Sequence, residues 1–188
     1  MKLIKTVLLA ITLAFLSSQV SAATVGGVNV PDTHQYGGKN LVLNGAGTRN
    51  RFFIQVYVGA LYLTAKSNDG NALAKANQPM TMRIEMTTDR ADPAKMKASI
   101  TEGFKKATGG NLAPIQADLD KFIAVFEAGV AKGDIFEFSH VPGSGLHALR
   151  NSQRVAVLTN PAFKETLFAV WLSNKAVDTG LRDKLLGK

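Results

Sequence analysis

The stretch Phe52-Phe53-Ile54-Gln55-Val56-Tyr57-Val58-Gly59-Ala60-Leu61-Tyr62-Leu63 decides the fold. Its alternating positions are apolar on both sides: Phe52, Ile54, Val56, Val58 and Ala60 on one, Phe53, Tyr57, Leu61 and Leu63 on the other. A strand with one wet face would carry polar residues at every second place. This pattern therefore predicts a central strand covered on both faces. Upstream, shorter β runs are expected at 28–30 and 41–43, broken by Pro31 and Gly37-Gly38, with Asn44-Gly45-Ala46-Gly47 read as a turn. Downstream, 80–87 alternates more cleanly, with Met80, Met82, Ile84 and Met86 inward and Thr81, Arg83 and Glu85 outward.

Beyond that strand the period changes. Asp92-Pro93 combines an N-cap with proline at the first helical position, and Met96, Ile100 and Phe104 recur every four residues until Gly109-Gly110. Ile115, Leu119, Phe122, Ile123, Phe126 and Val130 predict a second amphipathic helix, closed by Gly133. Strands return at 135–140, 146–149 and 155–158, with turns at Pro142-Gly143 and Asn151-Ser152. Asn160-Pro161 opens a helix carrying Phe163, Leu167, Val170 and Trp171, and Asp178 or Thr179 caps a last one with Leu181 and Leu185. Strands, two helices, strands, then helices is an α+β order rather than an alternating parallel one. No repeat or linker divides the chain, so one domain over 23–188 is expected.

Composition removes several classes of chemistry. The 188 residues include no cysteine, which excludes thiol nucleophiles, cysteine-ligated metals and disulfides. At the N-terminus, Lys2 and Lys5 precede an apolar run over 6–16, and Val20-Ser21-Ala22 offers small residues for cleavage. That is the pattern of a secretory leader over 1–22. The run is shorter than the ~20 residues a membrane span needs, so a periplasmic or secreted bacterial protein without a transmembrane segment is expected. The chain carries 22 Lys and Arg against 14 Asp and Glu. Losing Lys2 and Lys5 lowers the formal excess from +8 to +6. The basic residues are scattered and lack interleaved aromatics, which argues against a nucleic-acid partner.

Candidate catalytic groups are few. Gly45-Ala46-Gly47 lacks the third glycine, the lysine and the following helix of a phosphate loop. His140 and His147 flank a turn without a third ligand nearby, so neither a metal nor another cofactor is expected. Asp118 and Asp120 point in different directions early in a helix and suit its dipole. No serine or threonine has a local base. Arg49 stands out, a permanent cation immediately before the most apolar strand: either an exposed loop residue or an anion anchor at a pocket mouth.

Leu43-Asn44-Gly45-Ala46-Gly47-Thr48-Arg49, followed by Tyr57-Val58-Gly59-Ala60-Leu61-Tyr62-Leu63, resembles the opening of the chalcone isomerase family. Ala169-Val170-Trp171-Leu172 through Leu185-Leu186-Gly187 resembles the end of its bacterial chalcone-isomerase-like branch. The resemblance implies an open-faced β-sandwich: a long curved antiparallel sheet with helices packed on one face and a ligand cleft beside them. In the plant enzymes of this family an arginine in the glycine turn holds the phenolate, and Arg49 matches it. The family's threonine falls at Tyr57, its helical tyrosine and asparagine near Lys95 and Glu102, and its late serine or threonine at Val170. Tyr57 is still a donor, whereas Lys95, Glu102 and Val170 differ in kind. Losing such donors forfeits ~3–4 kcal/mol of oxyanion stabilisation per group. Other branches bind fatty acids without catalysis, using the same arginine for the carboxylate. The leading expectation is an exported, non-catalytic binder of an amphipathic carboxylate or phenolate. An intramolecular lyase with a bacterial substrate, using Arg49, is the second. The third is a cell-envelope interaction protein whose vestigial cleft is filled by Tyr57 and Trp171.

Overall fold

The computed structural model describes residues 22–89 and 92–188. Strands β1 (Ala22–Val25) and β2 (Val28–Pro31) form a small antiparallel hairpin. Seven more strands make one antiparallel sheet in chain order: β3 (Thr33–Tyr36), β4 (Lys39–Arg51), β5 (Ile54–Leu63), β6 (Met80–Met86), β7 (Ile135–Val141), β8 (Gly145–Arg150) and β9 (Gln153–Leu158). Helix α1 (Gly70–Lys75) links β5 to β6. Helices α2 (Pro93–Thr108) and α3 (Gln116–Ala124) link β6 to β7, and α4 (Pro161–Leu172) and α5 (Thr179–Leu185) follow β9. The sheet curls, and the helices lie on one of its faces, as the α+β order and the family resemblance imply.

Strand β5 is central and covered on both sides. Leu61 and Leu63 join the main core with Met80, Met82, Phe136, Phe138 and the helical Phe104, Phe122, Phe163 and Leu167. On the opposite face Val58, Ala60 and Tyr62 pack beneath Val28, Val30 and Leu41. The β1–β2 hairpin is thus the second cover that a doubly apolar strand requires. Within the main core Phe122 sits 5.0 Å from Phe138 and 5.7 Å from Phe163, centroid to centroid. Truncating so enclosed a ring to alanine would cost ~3–5 kcal/mol.

The helix boundaries follow their caps. Asp92 accepts from the Lys95 amide and Gly109 closes α2 in the left-handed conformation. Asn160 caps α4, and Asp178 caps α5. Helix α3 is shorter than its apolar period suggests. It ends at Ala124, and tighter turns follow, with amide bonds from Phe126 to Ile123 and from Glu127 to Ala124 three residues back. Phe126 still packs on Phe122 and Phe136, so the apolar spacing persists after the helix has stopped.

Two expectations around β4 are corrected. Asn44-Gly45-Ala46-Gly47 is not a turn but the middle of the 13-residue β4, irregular only where the register shifts between Leu43 and Gly45. The reversal comes later, at Phe52-Phe53, both with positive φ and both exposed, so β5 begins at Ile54. The expected leader, 1–22, lies outside the described residues except for Ala22, which opens β1.

Candidate functional site

The glycines of β4 have a packing role. A Cβ on Gly45 would overlap the Lys184 carbonyl oxygen and come within 2.7 Å of that of Leu185. One on Gly47 would lie 2.9 Å from the Lys184 side chain. Helix α5 therefore lies directly on the backbone of β4. Asn44 fastens it there by donating to the Leu185 carbonyl at 2.7 Å. This seat carries the N-terminus of α5, and with it Asp178, to Arg49.

Arg49 Nη1 donates to Asp178 Oδ2 at 2.6 Å, with 23% and 21% of the two side chains exposed. The other oxygen of the same carboxylate accepts the Leu181 amide at 2.9 Å, so Asp178 caps α5 and holds the guanidinium together. Burial pushes the Asp178 carboxyl up. The Leu181 amide and the Arg49 guanidinium more than offset that, and the group titrates below its usual range. Arg49 is accordingly not a loop residue ahead of the strand. It lies within β4, paired across the sheet with Tyr57.

Trp171 Nε1 donates to the Tyr57 hydroxyl at 3.1 Å, and the indole stacks on Phe138 at 6.0 Å. Burial pushes the Tyr57 phenol up, against the lowering influence of the Trp171 N–H and the Arg49 charge. The phenol is therefore neutral at physiological pH, and its oxygen accepts the Trp171 N–H. The site is thus a guanidinium held by a carboxylate, beside a phenol and an indole bonded to each other at the edge of the apolar core.

Helix α2 crosses both sides of this cluster. Arg51 donates to Ser99 Oγ at 2.7 Å, and a Cβ on Gly103 would meet Val177 at 3.0 Å. Lys106 Nζ donates to the Ala176 carbonyl at 2.7 Å. Half-buried Met96, Ile100, Val56 and Val177 pack against the core here, giving an apolar margin beneath α2. A cavity of about 170 Å³ opens between α2 and α3, lined by Pro93, Ala94, Lys97, Ile100, Ile123, Phe126 and Glu127. A larger one of about 370 Å³ has a mostly polar lining that includes Asn68, Asn71, Asn174 and Arg182.

The sequence candidates separate clearly. Arg49 and Tyr57 come together, register partners in one cluster. Lys95 and Glu102 lie on exposed positions of α2, and Val170 is buried in the main core. Asp178 and Trp171 complete the cluster from positions more than a hundred residues away in sequence. From the sequence Asp178 reads only as a cap, and Trp171 as an apolar helix position and cleft filler. His147 is held by Tyr36 and Ser144, each at 2.8 Å, and His140 by Asn77 at 3.0 Å. Among the described residues no group of three or more His, Asp or Glu side chains could hold a metal ion, and no helix is long and apolar enough to cross a membrane.

A family model described as chalcone isomerase-like matches residues 22–187. No curated protein matches the chain. Among solved structures it is similar to a fatty-acid binding protein of Arabidopsis thaliana, with a TM-score of 0.68 and 15% identity over 85% of this chain and 92% of that one. At that identity the likeness is one of fold.

Proposed function

This chain belongs to the chalcone isomerase-like family, and from that premise we propose that it is an exported, non-catalytic binder of an amphipathic carboxylate such as a fatty acid, with Arg49 as its anchor. The observation that carries this reading is the Arg49–Asp178 pair at 2.6 Å. Arg49 already holds one carboxylate there, in surroundings only about a fifth exposed. A ligand carboxylate exchanges for that of Asp178, or joins it on the remaining guanidinium N–H groups. Its tail then lies along the apolar margin under α2, beside Met96, Ile100 and Val177.

Catalysis is disfavoured by what surrounds the anchor. Tyr57 is the hydroxyl at the site, and burial, which raises its pKa against the Trp171 and Arg49 influences, makes it a poor proton donor to a growing enolate. Lys95 and Glu102 are exposed, and Val170 offers no donor. An interaction protein with a vestigial cleft is a second reading. One observation favours it: Tyr57 and Trp171 bond to each other beneath Arg49 and fill that space themselves.

Native mass spectrometry of the protein from its own cells separates the two readings. A retained mass matching a fatty acid, lost on denaturation, supports the binder. Protein free of any small molecule that also takes up no added medium- or long-chain fatty acid supports the vestigial cleft.

A further inference from the structure

Among the described residues, four hairpins turn on two residues that both have positive φ, the signature of a type I′ turn. Between β1 and β2 the pair is Gly26-Gly27, and between β3 and β4 it is Gly37-Gly38. Between β8 and β9 it is Asn151-Ser152, with the Asn151 side chain bonded to Ile135 and Asp134. These are residues such a turn accommodates. Between β4 and β5 the pair is Phe52-Phe53, at φ 48° and 64°. Bulky side chains are strained there and gain no packing in return, since Phe52 is 82% exposed and Phe53 fully so. A local rule broken with only the Arg51 contact on Phe52 in return points to a functional position.

The hairpin's reach and charge indicate what meets these rings. β6 pairs with β5 only as far as Tyr57, and Thr87 extends the contact to Val56 and Gln55. The tip, 51–54, projects beyond its neighbour, with Ile54 also exposed. The whole hairpin from Lys39 to Leu63 contains no Asp or Glu; of its three cations Lys39 lies at the far end and Arg49 is paired with Asp178, which leaves Arg51 at the tip. The Arg51 guanidinium lies over the Phe52 ring at 5.5 Å from its centroid. Two exposed aromatic rings backed by a cation, on a hairpin without negative charge, match the apolar interior and anionic headgroups of a lipid surface.

We propose that the β4–β5 tip is a membrane-docking finger: Phe52 and Phe53 enter an anionic lipid surface while Arg51 meets the phosphates. Its position next to Arg49 brings the mouth of the carboxylate site to the bilayer, but docking does not depend on that site binding anything.

Flotation with vesicles of phosphatidylcholine mixed with phosphatidylglycerol tests the finger. The wild type should float with these vesicles, less so as salt rises, and poorly with phosphatidylcholine alone. The variant F52N/F53G, which supplies the residues that the turn geometry favours, should stay folded and lose about tenfold or more of its vesicle affinity. Its affinity for added fatty acid in solution should not change, which separates failure of docking from failure of the carboxylate site. A wild type that does not float, or a variant that floats equally well, would overturn the proposal. So would a wild type that dimerises without lipid through the same two rings, since a second copy would then be their partner.

Discussion

Replacing Asp178 by Asn separates its two roles. Asparagine caps a helix about as well as aspartate, so the bond to the Leu181 amide can persist. What disappears is the negative charge on Arg49. A pair at 2.6 Å with both side chains about a fifth exposed contributes ~1 kcal/mol to stability after solvent screening. The loss of a charge at the N-terminus of α5 adds ~0.3–1 kcal/mol. Together these lower the melting temperature of a domain this size by a few degrees, at ~2–4 °C per kcal/mol. Ligand affinity should move the opposite way. In the wild type a fatty-acid carboxylate must displace Asp178 or share Arg49 with it, whereas in Asp178→Asn the guanidinium is free. The gain should match the released pair, ~1 kcal/mol or about fivefold in Kd. Thermal melts beside calorimetric titration with dodecanoate measure both shifts on one sample. A variant less stable but with unchanged or weaker affinity would mean that the ligand is bound somewhere other than Arg49.

Gly45→Ala should cost several kcal/mol and loosen α5, because the new Cβ would meet the Lys184 and Leu185 carbonyl oxygens, backbone that cannot step aside; denaturant unfolding with hydrogen exchange on 179–185 would measure it. F52N/F53G should raise stability by ~1–2 kcal/mol by relieving left-handed strain, seen as a higher melting temperature. Burial lowers the pKa of His34, His140 and His147 below 6.5 in the folded protein. The unfolded chain therefore takes up protons first as pH drops. The folded state is at full strength above about pH 6.5 and weakens below it, and a second loss follows below about pH 3.8 as Asp134 and Asp178 are protonated. Urea midpoints between pH 8 and pH 3 would trace both steps.

Much of the fold was legible because local chemistry and tertiary demand agree. The inward methionines of Met80 to Met86, the Asp92-Pro93 cap and the Asn151-Ser152 turn each say locally what the structure requires, whereas Thr81, expected outward, is fully buried and bonded to Ser139. Errors arose where one residue type serves two purposes. Gly45 and Gly47 read as a turn, yet they are small so that α5 can lie on the strand, and nothing within a few residues reveals a helix 140 positions away. Phe52 and Phe53 read as strand because apolar side chains usually signal burial, and here they are exposed at a reversal. Arg49 and Tyr57 could be picked out from the family resemblance. Asp178 could not be joined to them, because its sequence context signals only a helix cap. Lys95 and Glu102 were placed by counting along a helix, and their side of α2 faces solvent.

Whether Arg49 anchors the carboxylate of an amphipathic ligand is decided by isothermal titration of wild type, Arg49→Lys and Arg49→Ala with dodecanoate and, in parallel, with dodecanol. The wild type should prefer the acid to the alcohol, and Arg49→Lys should keep part of the preference, since an ammonium lacks the planar fork. Arg49→Ala should abolish it, with a loss of ~1–3 kcal/mol in acid affinity. Equal acid affinities in all three proteins, or no preference for the acid in the wild type, would contradict it.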